Sequence, residues 1–380
     1  MLSFASIPAS SQESVFGTNN FIEYQVGTLP IVISVPHGGD LEPEFIPDRT
    51  CNNPVYATDA FTVETAAAIR EQLFQTTGCY PHIIICHLAR RKLDCNRNLN
   101  DGACGNQDAA TAWTEFHAFV EMAQTAAANA EQDQLFFVDL HGHGNPIQRI
   151  ELGYLLYDDE LELSDETLNT PLYMGYSSIG DLAANNPNNM SHAQLLRGES
   201  AFGTLLANNG YPSVPSQQIP FPGTSSNYFS GGYITANHTC YAPGNTVNGV
   251  QMELNYDGIR NSEVNRQAFA EAFTSVILEF LDTHFEVSWG NCTPVNRGDD
   301  NTPETVFCYP NPVVQGDRLH VPLREGTAVS LADSQGRQLL DRGFLEQSFI
   351  DTRTIDPGVY LISFVQPNGA RVSQKVLVIN

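Results

Sequence analysis

The sequence predicts an open α/β sheet covered by helices, followed by a small all-β sandwich. Two apolar runs, residues 31–35 and 135–140, have the length and the side chains of buried strands. Residues 262–282 instead keep apolar side chains at the spacing of a helix that packs on a core. Beyond residue 305 the pattern changes to short strands separated by turns. Two such patterns in succession indicate two domains.

Further elements of the first domain follow from the same patterns. A helix is expected over residues 59–73, because Ala66 and Ile69 belong to an apolar set with helical spacing. Residues 83–86 form another apolar run that is typical of a strand. Residues 250–255 alternate apolar and polar side chains, which indicates a strand with one polar face.

The chain is expected to divide into residues 1–290, a linker at 291–304 and residues 305–380. A chain of 380 residues corresponds to about two to three domains. The stretch 291–304 is polar and rich in turn-forming residues, which is typical of a linker. The strands expected after it cover residues 319–323, 328–332, 359–365 and 372–379.

Histidines stand where two of the predicted strands end. One run ends in Asp139, His141 and His143, and the other leads into His37. Because ligands bind beyond the carboxyl ends of the strands in an open α/β sheet, these histidines are candidate metal ligands. A hydrogen-bonded core histidine would explain His141 alone about as well, but two strand ends that carry histidine favour a metal site.

A carboxylate is expected beside the two histidines, because a catalytic zinc ion typically takes three protein ligands. Asp59 is the preferred candidate, and its alternative role is to cap the helix over 59–73. Glu64 is the competing candidate. On a helix it would point about 140° away from Asp59, at roughly 100° per residue, so both are not expected to reach one ion.

Glu253 is the candidate general base. It lies on the polar face of the strand over 250–255, and a carboxylate in a covered sheet could serve to activate a water molecule at a metal ion. The alternative is an edge strand whose polar face is solvated.

A cluster of cations indicates a site for an anion. The chain has 43 acidic and 18 basic residues, yet four of the basic residues fall between Arg90 and Arg97. The two arginines could bind a carboxylate in a bidentate manner, with Asn96 adding donors and Asp94 holding the arginines in place. The alternative is a solvated turn that is rich in charge.

These segments together resemble the N-formylglutamate amidohydrolase family. The similarity covers roughly residues 20–285, and its short motifs gain specificity from their order along the chain. The motifs are His37-Gly-Gly, Arg90-x-x-x-Asp94-x-Asn96-Arg97, Asp139-Leu-His141, the segment Gln148–Tyr154, Gly231-Gly-Tyr233 and Gln251-x-Glu253.

The resemblance implies the three-layer α/β/α mixed sheet of the zinc carboxypeptidase-like hydrolases, with one Zn²⁺ ion per chain. It implies that His37, His141 and either Asp59 or Glu64 bind this ion. By the same resemblance, Glu253 is the base and Arg97 binds the carboxylate of the substrate. Further expected substrate contacts are Arg90, Asn96, Gly232 and Tyr233, and the residues expected to orient the ligands are Asp94, Asp139, Glu64 and His143.

The expected reaction is hydrolysis of an amide bond in an N-acyl amino acid, such as an N-formyl amino acid, or in a small peptide that bears a carboxylate. The zinc ion would activate a water molecule, and Glu253 would pass the proton of that water to the leaving nitrogen. One alternative is a metallocarboxypeptidase that acts on peptides, including those of the cell wall. The other is an inactive relative that binds anions through Arg90 and Arg97.

The last domain has its own motifs, Tyr309-Pro-Asn-Pro312, Asp333–Arg337, Pro357-Gly-Val-Tyr360 and Lys375-Val-Leu-Val. With these motifs, residues 305–380 resemble the C-terminal sorting domain of the type IX secretion system of Bacteroidetes. The resemblance implies a secreted or cell-surface protein that contacts this secretion machinery. The alternative is a sandwich that binds carbohydrate or protein. Residues 1–8 lack the features of a signal peptide, so the leader of an exported protein is expected to be missing from this sequence.

Composition argues against several partners. The net charge of −25 leaves no extended basic face for nucleic acid or for an anionic membrane surface. No apolar stretch approaches the roughly 20 residues that a membrane helix needs. Eight cysteines are compatible with disulfides in an oxidising space. The pairs considered are Cys95 with Cys104 and Cys292 with Cys308, and free buried thiols are an equal expectation for Cys79 and Cys86.

Overall fold

The computed structural model describes residues 12–130, 134–223, 227–285, 287, 308, 313–316, 318–321, 328–333, 337–343, 349–365 and 371–379. These residues belong to two compact units, within Met1–Pro294 and Val295–Asn380. The linker predicted at 291–304 lies outside the described residues, and the domain bounds built on it stay a prediction.

Eight strands of the first unit form one mixed sheet within the described part of the chain. Their order across the sheet is β1-β2-β4-β3-β5-β8-β6-β7. The central strands β4, β3, β5 and β8 run parallel to one another, while β2 and β6 flank them in antiparallel pairing. The strands are β1 (Ser14–Phe16), β2 (Ile22–Gln25), β3 (Ile31–Val35), β4 (His82–Cys86), β5 (Phe136–His143), β6 (Ile150–Gly153), β7 (Ser213–Val214) and β8 (Asn248–Asn255).

Helices connect these strands, and the three longest ones cover the sheet. The described helices are α1 (Thr62–Thr77), α2 (Leu99–Ala103), α3 (Gln107–Ala130), α4 (Asp158–Leu161), α5 (Asp165–Leu168), α6 (Pro171–Tyr176), α7 (Gly180–Asn185), α8 (His192–Arg197), α9 (Phe202–Asn208), α10 (Tyr233–His238) and α11 (Glu263–Phe285). None of the described helices combines the length and the hydropathy that a bilayer-spanning segment requires.

The two faces of the sheet pack against different helices. Ile33 and its neighbours on one face form a single apolar core with Leu73 of α1 and Phe273 of α11. On the opposite face the ring of Tyr24 lies 6.0 Å from the ring of Phe119 in α3. Strands buried on both faces must be apolar along most of their length, which explains why the sequence pattern identified them.

The parallel strands bring their carboxyl ends to one edge of the sheet. In the pairing of β5 with β8, His141 lies directly opposite Glu253. Strand β3 pairs with β5 through Ser34 and Asp139 and then runs out into His37. The polar residues that end these strands are therefore neighbours in space.

The second unit is all-β in the part that the structure describes. Its strands β12-β11-β14-β15-β9 form one sheet and β10-β13 a second, smaller one. Val329, Ile362, Phe364 and Val376 are among the residues of its own apolar core. The strands are β9 (Val313–Val314), β10 (Arg318–His320), β11 (Ala328–Asp333), β12 (Gln338–Gly343), β13 (Phe349–Asp351), β14 (Gly358–Val365) and β15 (Arg371–Ile379). The coarse prediction, a mixed α/β unit followed by a small all-β region, is confirmed.

The start of α1 differs from the prediction. The helix begins at Thr62, and the residue before it is Phe61 in a left-handed conformation with φ of 65°. Asp59 lies in the preceding turn, where its backbone N–H donates to the carbonyl oxygen of His37 at 3.0 Å. Asp59 is therefore not the helix cap, and its carboxylate is free for another role.

The pairing of Cys95 with Cys104, one of the two pairs considered, does not form. Cys104 ends α2 and forms a disulfide with Cys51, and the two Cα atoms are 5.7 Å apart. Cys95 is buried with a free thiol. The Cys51–Cys104 bridge therefore joins α2 to the loop that precedes Asp59.

The other cysteines considered from the sequence differ in whether they form a disulfide or remain free thiols. Cys79 is disulfide-bonded, so the expectation of a free thiol is wrong there. Cys86 is free and buried. Cys308 is also free, so the pairing with Cys292 that was considered does not form, and Cys292 itself lies outside the described residues.

A buried histidine of β4 should make the first unit sensitive to acid. His82 Nδ1 accepts hydrogen bonds from Tyr24 Oη at 2.7 Å and from Gly27 N at 3.2 Å, which requires the neutral ring. Burial lowers the pKa of His82 to about 3. An unfolded chain takes up this proton near pH 6.5, so the stability due to His82 is complete above pH 6.5 and is lost as the pH falls towards 3.

We expect the free energy of unfolding to fall by about 2 kcal/mol between pH 6.5 and pH 5 from this group, at about 1.4 kcal/mol per pH unit. Urea unfolding of the wild type and of His82→Gln at both pH values measures the difference. The variant should lose correspondingly less stability on acidification. Parallel pH curves for the two proteins would exclude His82 as the source.

Candidate metal centre

Three predicted ligands meet at the carboxyl end of the central strands. His37 follows β3, His141 lies near the end of β5, and Asp59 precedes α1. All three are buried, and one potential ligand atom from each lies within 4.8 Å of the others. His37, Asp59 and His141 could therefore hold a metal ion together.

The carboxylate of Asp59 faces the same nitrogen of both rings. Its Oδ2 atom lies 3.4 Å from His37 Nδ1 and 3.1 Å from His141 Nδ1. Burial raises the pKa of Asp59, but the hydrogen bond with His141 and the nearby positive charges of His37 and His141 outweigh this effect and hold the pKa well below its usual range. The ionised carboxylate and the two ring nitrogens form a compact N, N, O donor set.

Each histidine has a second carboxylate behind it. His37 Nε2 lies 2.7 Å from Asp94 Oδ1, and His141 Nε2 lies 3.0 Å from Asp139 Oδ2. Ser34 Oγ donates to Asp139 Oδ1 at 2.7 Å and fixes that carboxylate in turn. Metal-binding histidines usually donate their other ring N–H to such a group, which fixes the tautomer and makes the ligand more basic.

The donor set fits a divalent cation. Among the described residues, His37 Nδ1 is a buried nitrogen with no hydrogen-bond partner, which suits an atom that faces an ion. Burial lowers the pKa of His141, but the charge of Asp139 and the bonds with Asp139 and Asp59 raise it well above its usual value. The cluster thus holds protons that a bound cation would displace.

Glu253 stands beside this cluster. Its Oε1 atom lies 4.0 Å from His141 Nδ1 and accepts a hydrogen bond from Gln251 Nε2 at 3.0 Å. Burial raises the pKa of Glu253 to about 8, although the positive charge of His141 acts in the opposite direction. A carboxylate with a raised pKa in such a place can both accept and release a proton near neutral pH.

Three arginines surround Asp94. The Oδ2 atom of Asp94 lies 3.1 Å from Arg90 Nε, 3.4 Å from Arg49 Nη2 and 3.5 Å from Arg97 Nε. Arg90 also approaches the ligand Asp59, with Nη1 3.6 Å from Oδ1. Three cations thus surround one carboxylate at this place.

Arg97 is held by the loop that the disulfide anchors. Its Nη1 donates to the carbonyl oxygen of Asn52 at 2.9 Å and its Nη2 to that of Asn53 at 3.3 Å. The side chain of Arg97 remains 27% exposed. A planar guanidinium has five N–H donors, so these contacts leave N–H groups that can bind an anion.

Asn96 lies between the ligands and the loop that contains Gly231 and Gly232. Its Oδ1 accepts from Ile234 N at 2.9 Å, and its Nδ2 donates to Gln251 Oε1 at 3.3 Å. A Cβ atom at Gly232 would overlap the amide of Asn96, so only glycine permits this approach. The segment Gly232–Tyr233 that starts α10 therefore forms a wall beside the candidate site.

Two predicted residues lie elsewhere. Glu64 is exposed in the first turn of α1 and is not part of the group of potential ligands. His143 is buried, but its Nε2 donates to the carbonyl oxygen of Arg149 at 2.8 Å and its Nδ1 accepts from Asn145 N at 3.1 Å. Both ring nitrogens of His143 are thus used by the backbone.

The second unit matches a known family. Residues 308–380 match the family described as the secretion system C-terminal sorting domain. This part of the chain is therefore a secretion sorting domain. The sorting domain indicates type IX secretion and a secreted or cell-surface protein, and it implies contact with that secretion machinery.

A comparison with solved structures gives a further similarity. The N-formylglutamate amidohydrolase from Ralstonia eutropha JMP134 is 14% identical to this chain, with a TM-score of 0.40. The similarity covers 70% of this chain and 98% of the amidohydrolase. No curated protein matches the sequence.

The sequence pattern did not indicate two buried arginines near the ligands. Arg49 reaches Asp94 from the loop before Asp59, and Arg260 follows β8 and lies against β5. Neither arginine belongs to a recognisable motif in the sequence. Only their burial distinguishes them from surface arginines, since Arg49 is 1% exposed and Arg260 is 3% exposed.

Proposed function

We propose that this protein is a secreted metal-dependent hydrolase that cleaves an amide bond of an N-acyl amino acid, such as an N-formyl amino acid, or of a small peptide that bears a carboxylate. One observation carries the proposal. The Nδ1 atoms of His37 and His141 converge on Asp59 Oδ2, while a buried carboxylate backs the other nitrogen of each ring. This arrangement is typical of metal sites and costly to maintain without one.

Zn²⁺ is the ion that we propose for His37, His141 and Asp59, because two imidazoles and one carboxylate are a known ligand set of catalytic zinc sites. Bound there, such an ion would polarise the carbonyl group of a substrate and make a water molecule more acidic. Asp94 and Asp139 would orient the two imidazoles by accepting the hydrogen bonds from their Nε2 atoms.

Glu253 is the proposed general base. Its carboxylate is buried beside His141 and is oriented by Gln251. In this role Glu253 would accept the proton of the attacking water and deliver it to the nitrogen that leaves.

Arg90 and Arg97 are the proposed contacts for the carboxylate of the substrate. Arg90 lies closer to the ligands, since its Nη1 is 3.6 Å from Asp59 Oδ1. Arg97 lies farther out beside the loop of Asn52 and Asn53. Asn96, Gly232 and Tyr233 would form the wall between the arginines and the general base.

The ordered motifs of the sequence support placing the first unit with the N-formylglutamate amidohydrolases, in the three-layer fold of the zinc carboxypeptidase-like hydrolases. A metallocarboxypeptidase uses the same chemistry on longer substrates. An inactive relative that binds anions through the arginines would keep the fold without the ion. The metal analysis tests the anion-binding alternative, and the activity assays test the carboxypeptidase alternative.

Elemental analysis of the purified protein beside its His37→Ala and His141→Ala variants tests the metal centre. We expect about one zinc ion per chain in the wild type and little or none in either variant, because a two-ligand remnant binds zinc weakly. His87→Ala is the control, since His87 pairs with Glu23 away from the ligands. Folded wild type that takes up no metal would favour the anion-binding protein.

Activity assays then separate the substrate classes. N-formyl amino acids are compared with short peptides, each with a free and with an amidated carboxyl end. We expect hydrolysis that depends on the free carboxylate. Cleavage that becomes faster as the peptide becomes longer would identify a carboxypeptidase instead.

A further inference from the structure

Arg260 is a buried cation with no acidic partner in contact. It closes the irregular turn Tyr256–Arg260 that follows β8, and it is 3% exposed. Among the residues that the structure describes, no carboxylate oxygen lies within 4.0 Å of its guanidinium nitrogens. Burying an unpaired charge costs several kcal/mol, so its position requires strong compensating contacts.

The compensation comes from three carbonyl oxygens on three different segments. Arg260 donates from Nη1 to the oxygen of Ala60, from Nη2 to that of His143 at 2.8 Å, and from Nε to that of Leu254 at 3.2 Å. Ala60 follows Asp59 in the chain, and Leu254 follows Glu253. Each carbonyl thus belongs to a segment that carries one group of the candidate site.

The segment that includes His143 is the end of β5, and Arg260 packs against a glycine there. Gly142 stands between His141 and His143, and a Cβ atom there would overlap the guanidinium of Arg260. The backbone N–H of Gly142 donates to Asp59 Oδ2 at 3.2 Å. The absence of a side chain at position 142 therefore allows the arginine to approach β5 beside the N–H group that binds Asp59.

The electrostatic interactions of Arg260 also indicate that it lies near Asp59 and Glu253. Burial lowers the pKa of Arg260, and the negative charges of Asp59 and Glu253 act against this effect. A cation in this place repels a metal ion at His37, Asp59 and His141. Any benefit of Arg260 to metal binding must therefore come from its hydrogen bonds and not from its charge.

We propose that Arg260 is a positioning residue whose three-way hydrogen bonding to Ala60, His143 and Leu254 sets the relative positions of Asp59, His141 and Glu253. The inference rests on the proposed metal centre, because those three residues are its parts. Only arginine has a rigid planar fork with donors in three directions, which lysine cannot reproduce.

The test is the affinity for Zn²⁺, measured by competition with a chelator, in the wild type and in Arg260→Met, Arg260→Lys and Gly142→Ala. We expect the dissociation constant to rise about 10-fold to 100-fold in all three variants, as for other residues that orient metal ligands. Arg266→Met is the matched control. Arg266 lies nearby in α11, and among the described residues its side chain donates one hydrogen bond, to the carbonyl oxygen of Arg260 at 2.8 Å, and lies over the ring of Phe61.

The direction of the change decides between positioning and charge. Unchanged or tighter binding in Arg260→Met would overturn the proposal, because loss of the charge alone strengthens cation binding. Full affinity in Arg260→Lys would also overturn it, since the fork would then be dispensable. Gly142→Ala keeps both the charge and the donors, so it tests placement even if the other variants fold poorly.

Amide hydrogen exchange of the metal-free proteins keeps this inference separate from the proposed function. The amides beside Ala60, His143 and Leu254 should exchange faster together in Arg260→Met and remain protected in the control variant. A wild type that binds no zinc would remove the metal centre while leaving this measurement decisive for Arg260. Unchanged exchange in all three segments would reject the positioning role.

Discussion

Glu253→Gln is expected to lower kcat by about 100-fold to 10,000-fold while leaving the bound metal in place, which is the usual range for loss of a general base. The amide of glutamine keeps the size of the side chain and can still accept the hydrogen bond from Gln251 Nε2. It cannot accept a proton from water. Steady-state kinetics and elemental analysis of the same preparation give both quantities.

Glu263→Gln is the control for this variant. Glu263 is an exposed glutamate in the first turn of α11, so its replacement tests the loss of one negative charge away from the site. We expect it to retain the activity and the metal of the wild type. Full turnover in Glu253→Gln would remove Glu253 from the role of base, and loss of metal would make it a ligand.

Asp94→Asn is expected to weaken both metal binding and folding. Asp94 is fully buried, and its carboxylate contacts His37 Nε2 as well as Arg49, Arg90 and Arg97. Removal of one member of a buried charge network costs about 3–5 kcal/mol of folding free energy, because the partners remain buried without it. Loss of a residue that orients a ligand typically lowers metal affinity about 10-fold to 100-fold.

Urea unfolding of the metal-free protein and chelator competition measure these two effects separately. Asp101→Asn is the control, because Asp101 lies nearby in α2 but bonds to the exposed amides of Asn52 and Asn98. We expect much smaller changes in that variant. Equal stability of Asp94→Asn and the wild type would show that the arginines do not depend on this carboxylate.

The positions of His37, His141 and Glu253 follow from the sequence because each lies in, or directly after, a strand that is buried on both faces. An apolar run leaves little choice of element, and the carboxyl ends of parallel strands meet at one edge. The choice between Asp59 and Glu64 was harder, because it depends on where α1 begins. The helix starts at Thr62, which leaves Asp59 in a turn tied to His37 and Glu64 on the exposed side.

The residues that sequence reasoning missed owe their roles to distant contacts. Arg49 reaches Asp94 across 45 positions, and Arg260 reaches Ala60 across 200. No local pattern distinguishes such arginines from surface ones. The disulfide could not be deduced from the sequence for a similar reason, because Cys95 is buried in the core while Cys104 lies against the loop of Cys51.

The disulfide between Cys51 and Cys104 links the formation of this part of the structure to export from the cytosol. The bridge spans 53 positions and anchors the loop whose carbonyl groups hold Arg97. Thiols stay reduced in the bacterial cytosol and are oxidised beyond the inner membrane. In a chain sorted for export, the loop that holds Arg97 therefore gains its covalent bridge only after the chain has left the cytosol.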